Sequence, residues 1–94
     1  MKIEWSESAK EQMKAIKLYI GQHSEEYAEL TCRKIMKRIE RIADFPMMGR
    51  VVPEYDHQSI GEVIESPYGI FYHIQPARIE ILAVVHGRQD LTTE

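Results

Sequence analysis

The chain has a single cysteine, Cys32, which excludes an intrachain disulfide and a thiolate metal cluster. It has no apolar run approaching the ~20 residues that a membrane-spanning helix needs. Its opening residues, Met1-Lys2-Ile3-Glu4-Trp5, are not followed by the apolar stretch of a signal peptide. A cytoplasmic protein with no membrane attachment is the simplest expectation. A basic excess is also lacking, since 12 Lys and Arg face 15 Asp and Glu for a formal charge of −3. Proteins that grip nucleic acid mainly through phosphates carry a basic excess or a basic face, so direct nucleic-acid binding is not expected. Only Arg33, Lys34, Lys37, Arg38 and Arg41 cluster, and Glu25, Glu26, Glu29 and Glu40 offset them, as on a solvated helix face. His23, His57, His73 and His86 are scattered, with no pair at ligand spacing, so no metal site is expected.

What is present is a chain of 94 residues, 44% hydrophobic, enough for one domain with a small core and no room for a cofactor-binding module. Small domains are marginal, so a bound partner can contribute much of the working stability. Residues 2 to 5 alternate weakly and suit a short strand. Ser6 or Ser8 offers a helix N-cap, Ser8 having capping-box spacing to Glu11. Ala9, Met13, Ile16 and Ile20 then share one helix face up to a natural stop at Gly21. A second helix begins near Ser24, with Glu25 and Glu26 favourably placed in its first turn. Its apolar seam is Ala28, Cys32, Ile35, Ile39 and Ile42, where Cys32 reads as a buried small hydrophobe rather than a nucleophile. The short connection predicts an antiparallel helical hairpin. Pro46 and Gly49 end it, and residues 46 to 58 read as a loop or irregular strand.

Three strand-like segments follow, at 60–65, 70–74 and 78–86, joined by Ser66-Pro67-Tyr68-Gly69 and Gln75-Pro76-Ala77-Arg78. Proline at the second position of each suits a type I or II turn. Two tight four-residue turns would place Phe71 opposite Ile64, His73 opposite both Glu62 and Glu80, and Tyr72 opposite Ile81. One face would then carry Val63, Ile70, Tyr72, Ile74, Ile79, Ile81, Ala83 and Val85, ready to be covered by the helices. The other would carry Ile60, Glu62, Ile64, Phe71, His73, Glu80, Leu82, Val84 and His86. The expected fold class is α+β: a short N-terminal strand, then an antiparallel helical hairpin packed on a C-terminal antiparallel meander.

This order, with its motifs, resembles the RelE/ParE toxin superfamily. Phe45-Pro46-Met47-Met48-Gly49-Arg50 resembles the P-x-x-G-R that follows the second helix in ParE-like toxins, and Val52-Pro53-Glu54 continues it. Ile60-Gly61-Glu62-Val63 is similar to their I-R-E strand, and Pro67-Tyr68-Gly69-Ile70-Phe71-Tyr72 to x-Y-R-I-x-Y, each with glycine in place of arginine. Val84-Val85-His86-Gly87-Arg88-Gln89-Asp90-Leu91 matches the terminal H-x-R-x-D-L. The resemblance implies the toxin of a type II toxin–antitoxin pair, causing growth arrest and neutralised by a cognate antitoxin. It leaves a homodimer open.

Ribonuclease members of the superfamily use basic residues on the sheet to stabilise transition-state charge. Those positions correspond here to Ile60, Glu62, Gly69 and Gln89, none of them basic, and the tail Leu91-Thr92-Thr93-Glu94 has no late aromatic residue. The resemblance therefore leans away from an enzyme and towards the ParE-like branch, which acts by binding a protein, DNA gyrase being the implied target. Arg50, Glu62, Phe71, His86 and Arg88 are the candidate contacts with target or antitoxin. A rival expectation is an mRNA interferase using His73, His86 and Arg88 as its catalytic set, with histidine titrating in the right range. Against it, a His73–carboxylate ladder would serve strand pairing alone. A third is a weakened or inactive toxin that still binds antitoxin, motivated by Gly61 and Gly69, where arginine would raise toxicity.

Overall fold

The computed structural model describes residues 1–55 and 59–88. Strand β1 (Lys2–Trp5) leads into helices α1 (Glu7–Gly21) and α2 (Glu25–Asp44). A 3-10 turn at Pro46–Met48, the two-residue strand β2 (Arg50–Val51) and a 3-10 turn at Pro53–Tyr55 follow. Strands β3 (Ile60–Glu65), β4 (Tyr68–Ile74) and β5 (Arg78–His86) complete the order. The expected meander is the centre of a five-stranded sheet, ordered β1-β5-β4-β3-β2, in which β1 runs parallel to β5.

Ser6, not Ser8, caps α1, its Oγ accepting the Ala9 N–H at 3.0 Å. Ser24 caps α2 in the same way, at 3.1 Å from the Tyr27 nitrogen. Both helices lie on one face of the sheet, α1 over β5 and α2 over β3. Ala9, Ile35, Ile39 and Ile42 meet Val63, Tyr68, Ile70, Tyr72, Ile79, Ile81 and Val84 in one core. Cys32 is half-buried at the edge of this seam rather than fully buried.

Two features of the sheet differ from expectation. Glu65 pairs directly with Tyr68, so Ser66 and Pro67 alone form the first loop. The β3/β4 register is therefore displaced by two residues, a shift that keeps each residue on its face but changes its partner. Ile60, not Glu62, stands opposite His73, and Glu62 stands opposite Phe71. The second turn has the expected register, with His73 opposite Glu80 and Tyr72 opposite Ile81.

The second difference is a β-bulge. Tyr72 pairs with Ile81 but Phe71 pairs with Ala83, leaving Leu82 as the extra residue. Beyond the bulge the two sides of β5 exchange. Val84 enters the core, whereas Ala83 and Val85 leave the face assigned to them. α1 supplies partners for the displaced backbone. Ser6 donates its N–H to the Ile81 carbonyl and its hydroxyl to the Leu82 carbonyl, both at 3.0 Å. The Val84 N–H donates to Gln12 Oε1 at 2.7 Å.

Candidate functional site: a buried carboxylate on the open sheet face

The helices cover one face, so the other presents its side chains outward. At its centre lies Glu62, whose side chain is 0% exposed. Burying a carboxylate this deeply is costly unless it is paired and hydrogen-bonded, and two arginines provide the pairing. Arg50, on β2 directly opposite Glu62, donates from Nε at 3.0 Å and Nη2 at 2.6 Å to Oε1. Arg88, just beyond β5, donates from Nε to Oε2 at 2.7 Å and from Nη2 to Oε1 at 2.8 Å. Its guanidinium carbon also stands 5.3 Å from the centre of the Phe71 ring.

Burial pushes the Glu62 pKa up. The hydrogen bonds from Arg88 and Arg50, with their charges, outweigh that and hold it below the ordinary carboxylate value. Glu62 is thus an anion with both oxygens engaged, unsuited to act as a base. Among the described residues, one carboxylate faces two guanidiniums, which are partly exposed.

Glycine 69 makes this arrangement possible. A Cβ built there would lie 2.5 Å from Glu62 Oε2 and 2.6 Å from Arg88 Cγ. At Gly61 it would lie 2.9 Å from the Tyr72 ring carbon and hydroxyl. Tyr72 is itself fixed, its hydroxyl donating to the Pro46 carbonyl at 2.7 Å and accepting from the Gly49 N–H at 3.0 Å. A side chain at Gly49 would overlap the same hydroxyl. The Pro46-Met47-Met48-Gly49-Arg50 motif thus has a physical basis: it ties the segment after α2 to Tyr72 and delivers Arg50 to Glu62. At Gly61 and Gly69 a side chain would meet Tyr72, or Glu62 and Arg88, which would have to shift to admit it.

Of the residues singled out from sequence, Arg50, Glu62, Phe71 and Arg88 come together. His73 is on the same face, but two positions along β4, next to Ile60 and Glu80. Gln75 Nε2 lies 3.3 Å from its Nδ1 and 3.4 Å from Glu80 Oε1. His86 is on the other face, its ring edge-on to Tyr68 at 5.4 Å. The candidate contacts His86 and Arg88 therefore lie on opposite faces of the sheet. His73, His86 and Arg88 do not converge on one point. Ile60 and Gly69 are on the open face, whereas Gln89, the tail and His57 fall outside the described residues. Among the described residues, no three His, Cys, Asp or Glu side chains are grouped to hold a metal ion, and no helix is long and apolar enough to cross a membrane.

Comparison with known proteins bears on the fold and the family. No curated protein sequence matches the chain. A solved structure described as the chromosomal ParDE TA system from P. aeruginosa superimposes with a TM-score of 0.74. It is 18% identical and covers 92% of this chain and 95% of its own, a likeness of fold. Residues 3–91 match the model of the ParE toxin of the type II toxin–antitoxin system parDE. The chain therefore belongs to the ParE toxin family and is a type II toxin of the ParE type.

Proposed function

We propose that this toxin arrests growth by binding a protein through its open sheet face, with DNA gyrase as the target and a cognate antitoxin as its neutralising partner. The observation that supports protein binding over phosphate chemistry is the state of Glu62. A phosphate approaching Arg50 and Arg88 meets cations already paired to an anion, and the basic positions of the ribonuclease branch are held here by Ile60, Glu62 and Gly69. An oxyanion site needs donors aimed where charge develops, and here those donors are spent on the protein's own carboxylate. The same cluster suits a protein surface, because Arg and an aromatic ring side by side are the usual composition of an interface hot spot. Supercoiling by purified gyrase should fall as purified toxin is added, and Arg88→Ala with Phe71→Ala should relieve it. Undisturbed supercoiling in cells that nevertheless stop growing would refute the gyrase assignment. Ribosome-dependent transcript cleavage, lost in His86→Ala, would refute protein binding as the mode of action.

A further inference from the structure

The covered side of the molecule carries a second surface of different character. Along α2, at about 100° per residue, Lys34, Lys37, Arg38 and Arg41 fall on one flank and Glu26, Glu29 and Glu40 on the other. The basic flank borders a shallow recess of about 240 Å³ lined by Lys34, Lys37, Arg38, Arg41 and Glu65. Glu65 is held by Arg38 at 3.2 Å, and Arg41 stacks 5.7 Å over Phe45. The recess therefore has four cations against one carboxylate, in a protein whose total charge is −3. It adjoins a second recess of about 240 Å³ that shares Lys34 and Glu65. That one is walled by Ile20, Ile35, Tyr27, Pro67, Tyr68 and His86. Together they form a groove between α2 and the β3–β4 turn, basic at one end and apolar-aromatic at the other.

We infer that this groove docks an acidic segment of the antitoxin, with an apolar side chain between Tyr27 and Tyr68 and carboxylates along Lys34, Lys37 and Arg41. The inference rests on the toxin–antitoxin reading above and adds the surface and the chemistry of recognition. Charge complementarity selects the occupant. Lys34 to Arg41 spans about 10 Å at 1.5 Å per residue. An extended chain places alternate side chains about 7 Å apart, so two or three carboxylates can meet the strip. Nucleic acid fits less well, because so short a strip neutralises few phosphates while the net negative charge of the chain repels the remainder.

The test is calorimetric titration of the intact toxin with its antitoxin at about 50 and 200 mM salt, a range in which exposed charges are progressively screened. Lys34→Glu/Lys37→Glu/Arg41→Glu should weaken binding at least about 30-fold and flatten its salt dependence, a loss of ordinary size for three exposed pairs reversed in sign. Tyr27→Ala, which leaves all charges in place, should weaken it about tenfold, within the range of an aromatic interface anchor. Lys14→Glu/Lys17→Glu on α1 should change it less than about twofold, as expected of charges outside the contact. Wild-type affinity in the folded triple variant, or loss confined to the α1 pair, would overturn the inference. So would a labelled single-stranded oligonucleotide that competes with antitoxin for the wild type and fails to bind the triple variant, since it would assign the groove to nucleic acid. If the wild-type toxin does not bind the antitoxin at all, the neutralisation reading itself falls, an outcome distinct from binding that ignores the groove.

Discussion

Gly69→Ala adds one methyl group on the open sheet face, and its effect separates the two explanations for glycine at this position. If glycine merely replaces a lost functional side chain, alanine should stabilise the strand by about 0.5–1 kcal/mol through reduced backbone freedom. The geometry predicts the opposite. The new methyl would lie 2.5 Å from Glu62 Oε2 and 2.6 Å from Arg88 Cγ, so the carboxylate and the arginine stem must both move. Overpacking of this kind costs about 1–3 kcal/mol. Disturbing a fully buried carboxylate adds to it, although less than the ~3–5 kcal/mol of a wholly buried pair, because Arg50 and Arg88 are 52% and 33% exposed and can rehydrate. A net loss of about 2 kcal/mol is expected, lowering Tm by roughly 8–15 °C for a domain of this size. Thermal and urea unfolding of the purified toxin measure it. A double-mutant cycle with Arg88→Ala should recover part of the loss, because the clash with the arginine stem is gone. A Tm equal to or above wild type would refute the close-packed role of Gly69. Gly69→Arg should likewise destabilise the protein, and a gain in growth inhibition from it would favour the attenuated-toxin alternative.

Other perturbations test the remaining supports. Tyr72→Phe removes the hydroxyl that Pro46 and Gly49 share, leaving a donor and an acceptor unmet; about 1–3 kcal/mol should be lost, and an unchanged urea midpoint would contradict it. Gln12→Ala strips the partner from the Val84 N–H beside the bulge. It should cost about 1–2 kcal/mol and accelerate hydrogen exchange at that amide. Because the folded pKa of Glu62 lies below its ordinary value of 4.5, its contribution is full above that value and is lost as pH falls through the folded one. Acid titration of Glu62→Gln should show a shallower loss of stability below pH 4.5 than wild type, and parallel curves would exclude the ion cluster as the acid-labile element.

The helical half was legible because its information is local. Ala28, Ile35, Ile39 and Ile42 repeat at helical spacing, and all four are buried. The turn at Gln75–Arg78 also gave its register correctly. The first turn does not, because Tyr68 and Gly69, expected in the turn, both belong to β4. The bulge left no trace, since Ile79 to Val85 is almost continuously apolar and either phase of alternation reads equally well. The Glu62 cluster was half visible. Its members could be named from family motifs, but partners 12 and 26 residues away meet only in the true register. His86 and Arg88, close in sequence, are set on opposite faces by the sheet.

The parallel pairing of β1 with β5 bears on how the molecule comes to exist at all. Ser6 and Leu82, joined at that seam, are 76 positions apart. During synthesis the helical hairpin can form early from local contacts, but the sheet cannot close around Ile3 and Trp5 until residues 78–86 are available. Contacts this distant are slow to form, because chain entropy is lost before any of them is gained. The arginine cluster therefore cannot assemble until Arg88 has been made. The sheet face proposed for its target arises last, after the α2 surface proposed for the antitoxin already has its helical framework. An antitoxin that engages this framework early would meet the chain before the face proposed for the target exists.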